Sequence, residues 1–256
     1  LTPQLTNMHI VGSISEIEVL KALETINAKW TSRDVDIPEL ALPLYPENSK
    51  VYFYDVPGAK QSVIRFGYPS LKVTHKDYYP TTVMNYRLGG GGFASQLTQA
   101  LREGKGYTYG IRSRFYGTDY KGEFTISSGL RSNVTLESSL LIKEILDNYG
   151  KNYSDNDLEV TKGYTIKSNA RAFETLGAKL DMLTNISNYG LANDYAKQRT
   201  DIVNEMTLED VKALIQNYIK PNQMIYLIVG DAKTQLSKLK DLGFVGAILL
   251  SDDYFT

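Results

Sequence analysis

Apolar and polar positions divide the chain into strand-period and helix-period segments. Residues 8–11 read as a short apolar strand that ends at Gly12. Ser13, Ser15 and Glu16 then offer capping chemistry, and Ile17, Leu20, Leu23 and Ile26 recur at helical spacing. From Thr31 the pattern dissolves. Pro38, Pro43 and Pro46 deny both helix propagation and ladder donation, so residues 31–47 are expected to be a linker. Beyond it, residues 51–56 and 62–68 predict two strands separated by Pro57 and Gly58. Asp77 is expected to cap a helix with Pro80 in its first turn, running to about Leu88. Gly89, Gly90, Gly91 and Gly92 break that helix, and residues 93–102 resume it with Phe93, Leu97 and Leu101 on one face.

Gly104, Lys105 and Gly106 reverse the chain into a hairpin of residues 107–116 with 122–130. Strict alternation in its first arm predicts Tyr109, Ile111, Ser113 and Phe115 on one face, and Arg112 and Arg114 on the other. Residues 133–220 carry helical period in four or five pieces, with caps expected near Asn133, Ser154 and Thr207. A strand at 224–229 and a helix at 232–242 are expected to close the chain. This order lacks the regular alternation of a parallel fold. It predicts an α+β domain in which a mostly antiparallel sheet carries helices on one face.

One pattern recurs. Ile10-Val11-Gly12-Ser13 is echoed 218 residues later by Ile228-Val229-Gly230-Asp231, and both echoes end a strand and open a helix with Leu-Lys-x-Leu. If the echo marks a repeat, residues 1–30 close a preceding domain of the same fold, 31–47 link, and 48–256 form one copy.

Composition narrows the function more than it names it. With 28 Lys and Arg against 29 Asp and Glu, the net charge of −1 offers no general attraction for a phosphate backbone, so no nucleic-acid partner is expected. Zero cysteine excludes disulfides, thiolate catalysis and cysteine-ligated metals, and it suits a cell envelope or periplasm better than the cytoplasm. Only His9 and His75 are available as imidazole ligands, and they are far apart in sequence. His75, near Asp77, reads as a loop or capping residue, and His9 as a core or edge residue of its strand. The apolar runs at 224–229 and 244–250 fall far short of the roughly 20 residues a membrane span needs. No signal-peptide series opens the chain, and a first residue of Leu1 suggests a processed chain or a piece of a longer one. The 19 tyrosines suit a peptide-contacting surface, although scattered half-buried rings explain them as well.

The glycine run is not a phosphate loop. It follows a helix rather than a strand and lacks the Lys-Ser/Thr ending, so a hinge or close-approach turn is the better physical account. No G-x-S-x-G, H-E-x-x-H or H-x-x-E-H series occurs. Arg102 and Tyr109 stand out because a helix end, a tight turn and a strand start can bring a guanidinium and a phenol to one cleft. Both donate hydrogen bonds, which suits a peptide carbonyl or its oxyanion. Spacing alone equally allows an arginine bonding its own helix's last carbonyls and a tyrosine in the core.

The stretch Gly89-Gly90-Gly91-Gly92-Phe93-Ala94-Ser95-Gln96-Leu97, followed by Leu101-Arg102-Glu103-Gly104-Lys105-Gly106-Tyr107-Thr108-Tyr109, resembles a family signature. It is that of the non-catalytic half of the pitrilysin/insulinase zinc metallopeptidases (inverzincins). The resemblance extends from the segment at Met8 to Gly230. It implies repeated α/β domains of the processing-peptidase type, which accounts for the echo, and a zinc-free domain facing an H-x-x-E-H half across a closed peptide chamber. On this resemblance Arg102 and Tyr109 are the substrate-positioning pair, Gly89–Gly92 with Phe93 form the glycine-rich turn, and zinc belongs to the partner half only. Gly104 stands where a charged residue is usual, and Tyr107 and Thr108 where small or aliphatic residues are common. The helix in the place of the zinc helix has no His and no Glu. The rivals are a non-proteolytic structural or assembly relative and a peptide-binding module of the same fold.

Overall fold

A computed structural model describes residues 2–244 and 246–251. Leu1, Val245 and residues 252–256, the end of the expected 48–256 domain, lie outside the described residues.

The alternation predicted from sequence becomes one six-stranded sheet. Its strands are β1 (Lys50–Asp55), β2 (Gln61–Ser70), β3 (Thr108–Tyr116), β4 (Gly122–Arg131), β5 (Ile225–Gly230) and β6 (Ile248–Leu250), in the order β3-β4-β2-β5-β1-β6. The pairings β3/β4, β4/β2 and β2/β5 are antiparallel, whereas β1 runs parallel to both β5 and β6. Alternate residues bury on one face: Phe53, Ile64, Phe66, Ile111, Phe124, Ile126, Tyr226 and Ile228 are all at most 1% exposed. Helices α2 (Tyr78–Asn85), α3 (Thr135–Asn152), α4 (Asp155–Arg171) and α7 (Leu208–Tyr218) add Met84, Ile142, Leu146, Tyr149, Leu158, Val211 and Ile215 to the same core. Helices α5 (Leu176–Tyr189) and α6 (Tyr195–Glu205) lie further out, and α5 buries no residue. The domain is therefore α+β, with helices on one face of a mostly antiparallel sheet.

Local capping chemistry explains where several helices begin. Ser154 and Thr207 each accept from the backbone three residues on, and Asp157 and Asp210 return the bond, forming complete capping boxes. Other expected caps are replaced by tertiary bonds. The Asp77 carboxylate accepts from the Tyr218 hydroxyl at 2.7 Å instead of capping α2. Burial, with that carboxylate, pushes the Tyr218 phenol up to about 12. Asn133 lies within a 3-10 turn, and α3 starts at Thr135, whose hydroxyl donates to the Ser62 hydroxyl at 2.8 Å.

Two expectations at the chain's ends are corrected. The terminal helix is only one turn, α8 (Ala232–Gln235), continued as a 3-10 segment to Leu242, and the apolar run after it adds β6 at the sheet edge. Residues 8–11 form no strand, because no neighbouring strand offers them a ladder. His9 is accordingly neither a core nor an edge-strand residue. Helix α1 (Glu16–Lys29) forms behind a Ser15–Glu18 capping box, yet none of its residues is buried. Residues 31–47 contain no helix or strand. Among the described residues, no helix is long and apolar enough to cross a membrane.

Candidate functional site

The glycine-rich stretch folds into a turn clamped between α2, β3 and α4. After α2 the backbone widens into a π-helical turn, Tyr86–Gly90, of a kind often found at functional sites. Gly89 lies flat on β3: a Cβ there would sit 2.3 Å from the Ser113 hydroxyl and 2.5 Å from the Ser113 amide. Gly92 has φ +56°, which a side chain would strain. Asn85 and Ser113 hold this approach with reciprocal bonds, Asn85 Nδ2 donating to the Ser113 carbonyl at 2.8 Å and Ser113 Oγ donating to Asn85 Oδ1 at 2.6 Å. Ser95 Oγ donates to the Gly92 carbonyl at 2.7 Å and begins the next helical segment.

Arg87, at the start of that turn, was not singled out from sequence. Its guanidinium pairs with Asp157 at 2.7 Å and donates to the Ala94 carbonyl, tying the glycine turn to the first turn of α4. Burial opposes ionisation of Asp157, but bonds from the Ser154 amide and hydroxyl and from Arg87 outweigh it and hold the carboxyl below its usual range.

The predicted helix at 93–102 is a 3-10 turn at Gly92–Ala94 followed by a π-helical segment, Thr98–Gly104. Its end is closed by bonds from the Gly106 amide to the Arg102 carbonyl at 3.0 Å and from the Tyr107 amide to the Leu101 carbonyl at 2.8 Å. The Arg102 guanidinium stacks over the Phe93 ring, 4.5 Å from its centroid, and its Nε lies 3.3 Å from Glu103 Oε1. It bonds none of its own helix's carbonyls through the side chain. Phe93 is exposed, and its carbonyl accepts from Gln99 Nε2 at 2.6 Å.

Tyr109 departs from the predicted alternation. Thr108 pairs with Leu130, but Ile111 pairs with Ser128, so β3 spends three steps against two on β4. This β-bulge carries one extra residue, which places Thr108 rather than Tyr109 on the core face with Ile111, Ser113 and Phe115. The Thr108 hydroxyl stitches the bulge: its one proton is shared between the carbonyls of Gly129 at 2.7 Å and Gly110 at 2.9 Å, its oxygen lies 2.8 Å from the Ser128 hydroxyl, and it accepts from the Gly110 amide at 3.0 Å. Tyr109 is left 92% exposed. No hydrogen bond or cation–π contact joins Arg102 to Tyr109 in this chain, so the structure brings Arg102 to Phe93 and presents Tyr109 to solvent.

The sheet face opposite the helices holds an open cleft of about 510 Å³, lined by Arg65, Tyr116, Lys121, Glu123, Ile225 and Leu227, among others. Arg65 pairs with Glu123 at 2.9 Å. Lys121 reaches across to the linker, where its Nζ lies 4.8 Å from the centre of the Tyr45 ring and donates to the Pro43 carbonyl. As for metals, no group of three His, Cys, Asp or Glu placed to hold an ion occurs among the described residues. His75 acts locally, its Nδ1 accepting from the Asp77 amide at 3.1 Å.

Residues 1–163, more than half the chain, match the family described as the peptidase M16 inactive domain. The chain belongs to that family. A "non-peptidase homolog" of Helicobacter pylori is 25% identical over 191 residues, covering 73% of this chain and 43% of that protein. An "uncharacterized zinc protease" of Bacillus subtilis is 26% identical over 234 residues, covering 89% and 54% respectively. The chain thus spans about half the length of the curated relatives it matches. The crystal structure of a peptidase M16 inactive domain from Pseudomonas fluorescens superposes with a TM-score of 0.76 at 22% identity, covering 88% of this chain and 53% of that one. That likeness is one of fold. M16 inactive domains carry no zinc.

Proposed function

We propose that this M16 inactive domain is the substrate-binding half of a zinc metalloendopeptidase. It closes a peptide chamber against an H-x-x-E-H half, which supplies the metal, its histidine ligands and the glutamate that activates water. The uncovered sheet face walls the chamber. Arg102 and Tyr109 position the scissile peptide and donate to its carbonyl as charge develops. The observation that carries this reading is the bulge that turns Tyr109 out to 92% exposure beside a segment whose arginine bonds none of that segment's carbonyls through its side chain. A phenol serving only the core would have stayed in register with Ile111.

Residues 1–30, on this reading, close a preceding homologous domain, whose sheet would give residues 8–11 the ladder they lack here, and the linker 31–47 joins them to the 48–256 domain. Ile17, Leu20 and Ile26 on α1, at 79%, 60% and 46% exposure, form the apolar side that such a domain would cover. The relatives' greater length supports a catalytic half on the same polypeptide, a separate subunit being the alternative, and the lack of cysteine supports a cell-envelope location.

A non-proteolytic assembly or peptide-binding role is the second reading, favoured by the name of the Helicobacter pylori relative. The test is hydrolysis of a fluorogenic peptide library by the zinc-bearing half with and without this domain. Turnover that needs this domain supports the peptidase reading. Absence of turnover for every peptide, with zinc loaded, puts the second reading in its place.

A further inference from the structure

A separate cavity opens in the helical layer, on the other side of the sheet from Tyr109 and independent of the peptidase reading. It measures about 580 Å³, within the roughly 300–1,000 Å³ of small-molecule sites, and lies where α2, α4, α5 and α6 meet. Arg199 is fixed in its wall. The guanidinium sits 4.8 Å from the centre of the Tyr79 ring and 4.7 Å from that of Tyr195, so two aromatic faces hold it in place.

The polar groups around it are unevenly satisfied. Its polar neighbours on α6 are engaged locally: Lys197 pairs with Asp201 at 2.6 Å, and Gln198 bonds Asp194 at 2.9 Å. Arg199 makes no ion pair or hydrogen bond among the described residues, leaving a planar fork of donors without an acceptor. Tyr79 is also a residue of the cavity wall, and its hydroxyl is buried with no hydrogen-bond partner among the described residues. A buried hydroxyl without a partner is costly, and native chains keep few of them. Asp181 of α5, an exposed residue of the same lining, supplies an acceptor carboxylate, and Phe173 and Met182 supply apolar lining.

We propose that this cavity binds a small zwitterion of the amino-acid or short-peptide class. Arg199 and the Tyr79 hydroxyl take its carboxylate, Asp181 takes its ammonium, and its side chains lie along Phe173 and Met182. A guanidinium fork matches a carboxylate in bidentate geometry, and the hydroxyl adds a third donor. Inorganic phosphate fits less well, because it offers no ammonium to Asp181 and no side chain to Phe173 and Met182.

Calorimetric titration of the purified protein with leucyl-leucine, its C-terminal amide, its N-acetyl derivative and inorganic phosphate tests this. The free dipeptide should bind, and amidation or acetylation should each weaken it roughly tenfold or more, as expected for loss of a charge-assisted bond. Arg199→Gln should abolish binding. Tyr79→Phe should weaken it about three- to tenfold without lowering Tm, because the hydroxyl it removes has no partner in the protein. That split separates a ligand-binding hydroxyl from a packing one. Equal affinity for the amidated dipeptide, tighter binding of phosphate, no binding at millimolar dipeptide, or unaltered binding by Tyr79→Phe would each overturn the assignment.

Discussion

Thr108 and Tyr109 are consecutive, yet the first is 8% exposed and the second 92%. The bulge makes the difference, and the Thr108 hydroxyl, with bonds to Gly110, Ser128 and Gly129, holds the bulge. Thr108→Val keeps the shape but leaves those groups, the buried Ser128 hydroxyl among them, short of a partner. It should cost about 1–3 kcal/mol. It should also lower nitration of Tyr109 by tetranitromethane, read by peptide mass spectrometry, as the strand slips back toward simple alternation. Thr108→Ser should restore both. Unchanged nitration in the valine variant would mean that the bulge does not depend on this hydroxyl.

Gly89 faces a different constraint. Its missing side chain is what lets the turn rest on Ser113, with 2.3 Å left for a Cβ. Gly89→Ala should therefore destabilise by about 1–3 kcal/mol through overpacking, read from urea unfolding, and Ser113→Gly should recover part of that loss. An alanine variant with wild-type stability would show that the turn has room to move.

These two positions also mark how far the sequence was legible. Helices that begin at Ser154 and Thr207 were readable because a capping box is local chemistry, complete within four residues. Strands β1, β2 and β4 were readable because their alternation is matched by burial on one face. The bulge was not, since an inserted residue leaves no mark in an alternating pattern beyond Gly110, and Tyr109 was consequently placed on the wrong face. Strand β6 exists only through pairing with β1, some 200 residues earlier in the chain, so its residues read as an apolar run without a partner. Residues 8–11 are the converse, a strand pattern with no ladder to join. Arg87 and Asp157 are 70 residues apart, and neither announces the other.

That ion pair makes a prediction with a sign. The Asp157 carboxyl is held below its usual range in the folded chain. Its stabilising contribution is therefore complete above the unfolded value, about pH 4, and is lost as the pH falls through the lowered folded value. Asp157→Asn should cost about 1–3 kcal/mol at neutral pH, less than for a fully buried pair because the Arg87 guanidinium is partly exposed. The gap between wild type and variant should narrow below about pH 4. A gap that stays constant down to pH 3 would place the effect in packing rather than charge.

Zinc should not bind this domain stoichiometrically. His9 and His75 belong to no ligand cluster among the described residues, and structural or catalytic zinc needs three or four ligands in place. Protein purified metal-free and given one equivalent of zinc should release it on desalting. Tight one-to-one retention, lost in His75→Ala or His9→Ala, would contradict this.

The central claim is that Arg102 and Tyr109 act on a peptide held at zinc by the other half. It is tested most directly by kcat for a fluorogenic peptide, measured in the assembled protein with Arg102→Ala, Arg102→Lys and Tyr109→Phe. Removing one oxyanion donor typically costs about 2.7–4 kcal/mol, and with zinc sharing the charge the low end, roughly 10²-fold in kcat, is expected. Lysine should rescue poorly because it lacks the planar fork. Melting temperatures should hardly move, since Tyr109 is exposed and Arg102 loses only its stacking on Phe93, worth about 0.5–1 kcal/mol, and a solvent-exposed pairing with Glu103. Falls of that size in kcat at near-constant Tm are the predicted result. Unchanged kcat in all three variants would contradict the account and leave both residues without a part in peptide hydrolysis.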